Sequence, residues 1–474
     1  MPHLVRFAGG ISVLSAVLAL ATASATLAPA SGAPAGTRAA DAKPQASQSH
    51  PTRRPVATAG HGGSAPGTAT PASRAPLQVQ PATSIRGPGT ALSPSLPRPV
   101  TDVTAYGAVG DGHTDSGPAV RRALTAAERQ GGTLYFPAGH YMLSFPNTAG
   151  AITVTAGLPL TIAGAGVGSV TLTSTNSLGP LLSIHNDHTV VQDLTLDTQS
   201  TNAGYDLYLV ANYVTIQRCH ILGGSHFFAI YAAGDAGGNS GNVGNRLLND
   251  VVNDWTEAPW GDGISWSYQQ NSLIENIDHT GSRLALYRDK AVTVDNYTYH
   301  PGPHHDVDDG FWISAPSDSI TITDFTTYGN GGVMSANGGL YNTNIRINNE
   351  QFLGTGGQLR IDGAIGLTLT GCNLGTSNVL SFAATVPVYN IVVQQCSSLP
   401  MVHFWGSASV KVAFDDDNFP AFRQPPGGSP RTFVNYGGSS PVTVIVSGGS
   451  WENQVGGFFV GGHTTYTMNG LAGY

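Results

Sequence analysis

A six-residue pattern, hydrophobic-x-hydrophobic-x-x-bulky, keeps returning along this chain and limits what it can fold into. It reads Thr189-Val-Val-Gln-Asp-Leu194, Val214-Thr-Ile-Gln-Arg-Cys219, Arg246-Leu-Leu-Asn-Asp-Val251 and Ser272-Leu-Ile-Glu-Asn-Ile277. It continues as Val292-Thr-Val-Asp-Asn-Tyr297, Ile320-Thr-Ile-Thr-Asp-Phe325, Leu367-Thr-Leu-Thr-Gly-Cys372 and Ile391-Val-Val-Gln-Gln-Cys396, with a weaker copy from Val442. Most copies stand about 20 to 32 residues apart, with turn residues between them. Fixed strand cores joined by variable turns are the pattern of a parallel β-helix, in which each coil buries its apolar residues against the next. A β-sandwich would need Asn-Gly-type hairpin signals between strands, and these are sparse. About eleven coils are expected.

A second block, Asp102 to Leu143, reads as strand, glycine-rich turn, helix, Gly-Gly stop, strand, Pro-Ala-Gly turn and strand. Asp115 has N-cap chemistry, and Pro118 falls in the first helical turn, where its missing N–H is no loss. The spacing predicts a helix over 116–130. The block resembles the N-terminal cap of the pectate lyase superfamily, where Tyr-Gly-Ala-x-Gly-Asp-Gly leads to Gly-Gly, a hydrophobic triplet and Pro-Ala-Gly-x-Tyr. That resemblance implies an all-β fold: a single-stranded, right-handed parallel β-helix with a short N-terminal capping helix. Hydrolases, lyases and epimerases all use this fold, so it does not name a reaction.

Three segments are expected. Residues 1–25 have basic residues, an apolar run and Ala23-Ser24-Ala25, the signature of a cleaved secretory signal peptide. Residues 26–98 are rich in Ala, Pro, Ser, Thr and Gly and read as a disordered linker. Residues 99–474 form the β-helix domain. The expected location is therefore secreted and extracellular, with no membrane span in the mature chain. The net charge of −8, with scattered Lys and Arg, leaves no footprint for nucleic acid. A monomer is expected. Cys219, Cys372 and Cys396 all occupy the sixth position of the repeat and read as buried free thiols.

Polar residues are densest between Asp254 and Asp309. Aligned by the repeat, Asp262-Gly-Ile-Ser-Trp-Ser267 stacks on Ser282-Arg-Leu-Ala-Leu-Tyr287, then on Asp309-Gly-Phe-Trp-Ile-Ser314. His226-Phe-Phe-Ala-Ile-Tyr231 takes the same register one coil earlier. Asp262 and Asp309 are then two rungs apart, roughly 9–10 Å. That is near the upper end of the separation at which a water fits between the acid and base of an inverting glycosidase. Asp308, beside Asp309, would raise one of the two pKa values, as a general acid needs. Strict alternation from Ile264 and Phe311 points both aspartates inward, unless Gly263 and Gly310 bend the chain. Asp-Gly is also a common turn, so Asp262 reads as catalytic or as a turn residue. Arg283 either clamps a substrate carboxylate or neutralises the aspartates. Trp260 and Trp312, with Trp255, could stack on sugar rings or fill core. His226 either donates to a substrate hydroxyl or satisfies a stack with Ser225. Arg288-Asp289-Lys290 reads as a solvated turn; His304-His305-Asp306 could ligate a metal with Asp308, but its Pro-Gly-Pro setting reads as an exposed loop, so no metal site is expected.

Asp262-Gly263 and Asp308-Asp309 resemble the catalytic motifs of the polygalacturonase-type glycoside hydrolases. The resemblance implies Asp262, Asp308 and Asp309 as catalytic residues and Arg360 as a substrate ligand. The chain departs from that pattern. Gly331-Gly332 stands where His-Gly is expected, and Arg360-Ile361-Asp362 where Arg-Ile-Lys is expected. The expected function is a secreted polysaccharide-degrading enzyme, a glycoside hydrolase without cofactor, whose partner is its polysaccharide. Two alternatives stay open. One is a Ca²⁺-dependent uronate lyase using the aspartates as ligands and Arg283 as base. The other is a non-catalytic carbohydrate-binding surface protein.

Overall fold

The computed structural model describes residues 96–155, 157–174, 179–198, 205–223, 228–234, 241–254, 262–302, 309–375, 378–399, 401–419, 433–436, 440–451, 459–460 and 464–470. All of them lie in the unit Pro88–Tyr474. They build a right-handed parallel β-helix from two large sheets, of 24 and 13 strands. The strand pairings of the long ladders are parallel throughout.

The repeat explains the coil. Its fifth residue is left-handed in coil after coil: Asp193, Arg218, Asn249, Asn276, Asn296, Asp324 and Asn349 have φ between 50° and 58°. Short polar side chains tolerate this conformation best, which is why Asn and Asp recur there. In some copies the bend separates two strands of the 24-stranded sheet, such as Val190–Gln192 and Thr195–Thr198, while in others one strand, such as Leu273–Gly281, runs through it. The exposed bend residues bond along the stack. Asn276 donates to Asn249 at 3.0 Å and Asn296 to Asn276 at 2.7 Å, while Arg218 pairs with Asp193 at 2.6 Å.

The sixth residue turns inward. Register places Leu194, Cys219, Asp250, Ile277, Tyr297, Phe325, Glu350, Cys372, Cys396 and Asp417 in one interior column. The three cysteines are buried and free, as expected. Two copies of the repeat need correction. The copy around Arg246 starts one residue earlier, because Thr215 pairs with Arg246; Asp250, not Val251, is its sixth residue. A further copy, Ile345-Arg-Ile-Asn-Asn-Glu350, pairs between those of Ile320 and Leu367. Polar residues at interior positions hid both. The 13-stranded sheet gives thirteen coils where about eleven are expected.

The helix forms at Gly117–Gln130 and buries Val120, Ala123, Leu124 and Ala127 against the first strands. Its N-cap is Ser116, not Asp115, but the Ser116 hydroxyl donates to the Val109 carbonyl instead of capping. The Asp115 carboxylate accepts the first-turn N–H of Gly117 at 2.9 Å and that of Ser144 at 3.0 Å. Inside the coils like stacks on like, as in Phe382, Phe404 and Phe433 with ring centroids 5.3 and 6.3 Å apart. Asp289 is not in a solvated turn. It is 1% exposed and accepts the Gln269 N–H at 2.7 Å, while Arg288 lies over the Tyr268 and Tyr287 rings. Among the described residues no helix is long and apolar enough to cross a membrane.

Candidate active site

The residues of the expected ladder stand at the starts of neighbouring strands of the 13-stranded sheet. Ile264 pairs with Leu284, and Leu284 with Phe311. Asp262, Ser282 and Asp309 each stand two residues before those partners, just ahead of the printed ladder. Ile230 pairs with Ile264, so the preceding strand is offset by two residues and Phe228 stands at the level of Asp262. His226 itself, Trp255, Trp260, His304, His305, Asp306 and Asp308 lie outside the described residues.

A bulge settles where Asp262 points. The N–H groups of both Gly263 and Ile264 donate to the Arg283 carbonyl, at 3.0 and 3.3 Å. Two consecutive residues opposite one break the alternation. Gly263 and Ile264 are both buried, and Asp262 emerges with 13% of its side chain exposed. Gly263 is needed for space rather than for flexibility. A Cβ there would collide with the Asp254 carboxylate and the His279 ring, whereas its own φ is unremarkable.

Those two residues form a buried polar corner behind the ladder. Asp254 Oδ2 and His279 Nε2 are 2.9 Å apart, and His279 Nδ1 is 2.6 Å from the Tyr297 hydroxyl. The Asp254 carboxylate also accepts the Ser282 N–H, at 3.0 Å to Oδ2 and 3.1 Å to Oδ1. Asp254, His279 and Ser282 are inaccessible, so they support the ladder without meeting a ligand. Asp206, one step away along the same corner, accepts the Thr198 N–H and hydroxyl. Burial pushes its carboxyl well above the usual range.

Arg283 links the accessible residues. Its Nε donates to Asp262 Oδ1 at 2.7 Å, and its guanidinium carbon lies 4.3 Å from the Trp312 ring centroid. The Trp312 indole N–H donates to Ser335 Oγ at 2.6 Å. Of the expected ligands, Trp312 is thus on the face beside the aspartates, half-buried, and not core. Arg360 is three strands beyond Arg283 and lies over Trp405, 5.4 Å from its centroid. The structure brings Asp262, Arg283 and Trp312 together, with Asp309 three residues before Trp312 in the chain, and sets Arg360 apart.

Sequence reasoning missed the aromatic groups flanking this centre on the same face. On the N-terminal side Tyr205, Tyr208, Phe228 and Tyr231 pack with centroids 5.0 to 5.7 Å apart. Burial pushes the Tyr205 hydroxyl up to about 12. On the C-terminal side stand Trp405, His403 and Tyr436. The signal was there: Tyr208 and Tyr231 occupy outward positions of strands whose alternate residues, Leu207, Leu209 and Ile230, are core.

Residues 100–311 match the family described as rhamnogalacturonase A/epimerase, pectate lyase-like. Among solved structures, the A-module of mannuronan C-5 epimerase AlgE6 from Azotobacter vinelandii is 16% identical. The match covers 79% of this chain and 99% of that one, with a TM-score of 0.48. The catalytic unit of the GH87 α-1,3-glucanase from Streptomyces thermodiastaticus is 16% identical, covering 81% and 70%, with a TM-score of 0.44. Tailspike protein 3 of bacteriophage CBA120 is 10% identical, covering 78% and 57%, with a TM-score of 0.45. No curated protein matches the sequence. The fold is a parallel β-helix, and over residues 100–311 the chain is similar to the pectate lyase-like family.

Proposed function

We propose that this chain is a secreted polysaccharide-degrading enzyme, and specifically a glycoside hydrolase centred on Asp262 and Asp309. The supporting observation is that the two aspartates precede strands two apart in the sheet, each two residues before a core residue, with Arg283 on the strand between them bonded to Asp262. Two strand spacings, roughly 9–10 Å, leave room for a water between them. In this reading Asp262, ion-paired with a guanidinium, is the base that activates the water. Asp309, next in sequence to Asp308, is the acid that protonates the leaving oxygen. The reaction then proceeds with inversion. Arg283 and Trp312 position the sugar. Arg283 is a poor candidate for a lyase base, because its guanidinium is already held by Asp262 and by the Trp312 face. The match to a family whose name joins a rhamnogalacturonase and an epimerase supports polysaccharide as the substrate class. Residues 1–25 serve export and 26–98 act as a linker to the β-helix.

The test is turnover on a polysaccharide panel, read both as reducing ends and as ultraviolet absorbance of an unsaturated product. Reducing ends without absorbance are expected, and Asp262→Asn and Asp309→Asn should each lower turnover at least about a hundredfold. Product NMR should show the inverted anomer first. Calcium-dependent absorbance would replace the hydrolase by a lyase, and full turnover in both variants would move the site elsewhere.

A further inference from the structure

A peptide group just before Arg283 is held at both ends by buried side chains. It joins Gly281, the last residue of the strand Leu273–Gly281, to Ser282, and Arg283 follows. Its carbonyl accepts the Tyr299 hydroxyl at 3.0 Å and the Gly302 N–H at 2.9 Å. Its nitrogen lies 3.0 and 3.1 Å from the two oxygens of the Asp254 carboxylate. Asp254 is held in turn. A carboxylate only accepts, so His279 Nε2, 2.9 Å away, donates to it, while the Tyr297 hydroxyl stands 2.6 Å from His279 Nδ1. Tyr297, Tyr299, His279 and Ser282 are each 0% exposed.

Asp254, His279, Tyr297 and Tyr299 thus converge on this one peptide or on the group that holds it. Buried polar groups are tolerated when their bonds are satisfied, and a satisfied network fixes a single arrangement. Gly281 has a φ of 141°, a conformation open chiefly to glycine, and a Cβ there would lie 2.4 Å from the Asp254 carboxyl carbon. The far side of Arg283 is fixed as well, because its carbonyl accepts the N–H groups of Gly263 and Ile264. The backbone of Arg283 is set from both sides, and its side chain spans the gap to Asp262 and the Trp312 ring. A long side chain on a fixed base reaches one geometry with less freedom left to lose. The His279 ring also faces Gly263, where a Cβ would lie 2.3 Å from Nε2. His279 therefore reaches the supports of both members of the Asp262–Arg283 pair.

We infer that Tyr299 and His279 are positioning residues, acting through the Gly281–Ser282 peptide to aim Arg283 at Asp262 and at the Trp312 face. Tyr299 acts on the carbonyl directly, and His279 acts on the N–H through Asp254. Neither is accessible, so neither touches a substrate. The placement of Arg283 follows from the geometry alone, whereas its effect on turnover rests on the hydrolase reading of Asp262 and Asp309.

Trp312 emission reads the placement of Arg283 without any substrate, because the guanidinium carbon lies 4.3 Å from the ring centroid. It is taken as the difference spectrum between each protein and its Trp312→Phe counterpart. Tyr299→Phe, which removes one hydroxyl, should move this emission most of the way toward that of Arg283→Gln. His279→Leu should do the same, and His279→Gln, which keeps an N–H for Asp254, should retain most of the original emission. In the Arg283→Gln background neither Tyr299→Phe nor His279→Leu should change it further, since residues that act through one another are not additive. The proposal is overturned if Tyr299→Phe, with a melting curve that shows it folded, keeps the original emission, or if its effect adds in full to that of Arg283→Gln. Where His279→Leu does not fold, Tyr299→Phe and His279→Gln decide. On the polysaccharide that the protein degrades, Tyr299→Phe should lower kcat/KM about tenfold and add nothing to Arg283→Gln. Failure of the hydrolase reading would show differently, as full turnover by Asp309→Asn with the emission pattern intact.

Discussion

Two acids in the interior column should make this protein lose stability as pH rises toward neutrality. Asp250 and Asp417 are each 1% exposed. Asp250 accepts the N–H groups of Cys219 at 2.6 Å and Leu248 at 3.0 Å; Asp417 accepts those of Cys396 at 2.7 Å and Asp415 at 3.2 Å. Such bonds favour the carboxylate, but burial outweighs them and pushes each group up from 3.8 to about 7. The folded state therefore keeps two protons that the unfolded chain has lost between pH 4 and 7. Stability from these groups is complete below the unfolded value, falls as pH rises, and is lost once pH passes the folded value. A shift of about three units corresponds to roughly 4 kcal/mol per group at most. Burial also raises Glu350, Asp206 and Asp289, which act in the same direction. Calorimetric melting between pH 4.5 and 8 at constant ionic strength should give a Tm that declines throughout. Asp250→Asn should make that decline shallower. A Tm that is flat or higher at pH 8 would show that these acids are ionised in the folded protein and refute the argument.

Two further substitutions probe the backbone. Gly263→Ala should cost about 2–3 kcal/mol by overpacking the Asp254–His279 corner, read by chemical denaturation, and should lower turnover because Asp262 is the preceding residue; an unchanged midpoint would contradict it. Asn276→Val places a β-branched residue at φ 57° and removes bonds to Asn249 and Asn296, so a loss of about 1–2 kcal/mol is expected, whereas Asn276→Gly should keep most of the stability.

The fold was legible because a solenoid writes its coil into the chain repeatedly. The left-handed fifth residue and the inward sixth residue are visible as Asn or Asp followed by a bulky group. Register was legible only in part. Ile264, Leu284 and Phe311, each two residues after Asp262, Ser282 or Asp309, pair as read. The strand Phe228–Ala233 was misplaced by two residues. A slip of two preserves which face every side chain occupies, so Ile230 matches Trp266 as well as it matches Ile264, its true partner. Alternation cannot distinguish such slips, and turn lengths in a solenoid vary too much to do so. The copy at Ile345 was missed for a different reason: its sixth residue, Glu350, is a charged type in a fully buried position.

What most determines the candidate site is what a sequence hides best. Asp254 and His279 are polar residues in alternating strands and look like solvent-facing positions, yet both point inward. The Asp254 carboxylate holds the N–H of Ser282, the residue just before Arg283, and the same corner leaves room only for glycine just after Asp262. One buried group thus fixes the starting points of two adjacent strands. Their first accessible side chains, Asp262 and Arg283, are thereby brought to 2.7 Å. The bulge follows from the same constraint, because Gly263 must face the corner while Ile264 faces the core, and two consecutive inward residues cannot lie on a regular strand. The accessible ion pair is in this sense a consequence of the inaccessible one. Perturbing Asp254 should therefore disturb the geometry of Asp262 and Arg283, although Asp254 itself never reaches the surface.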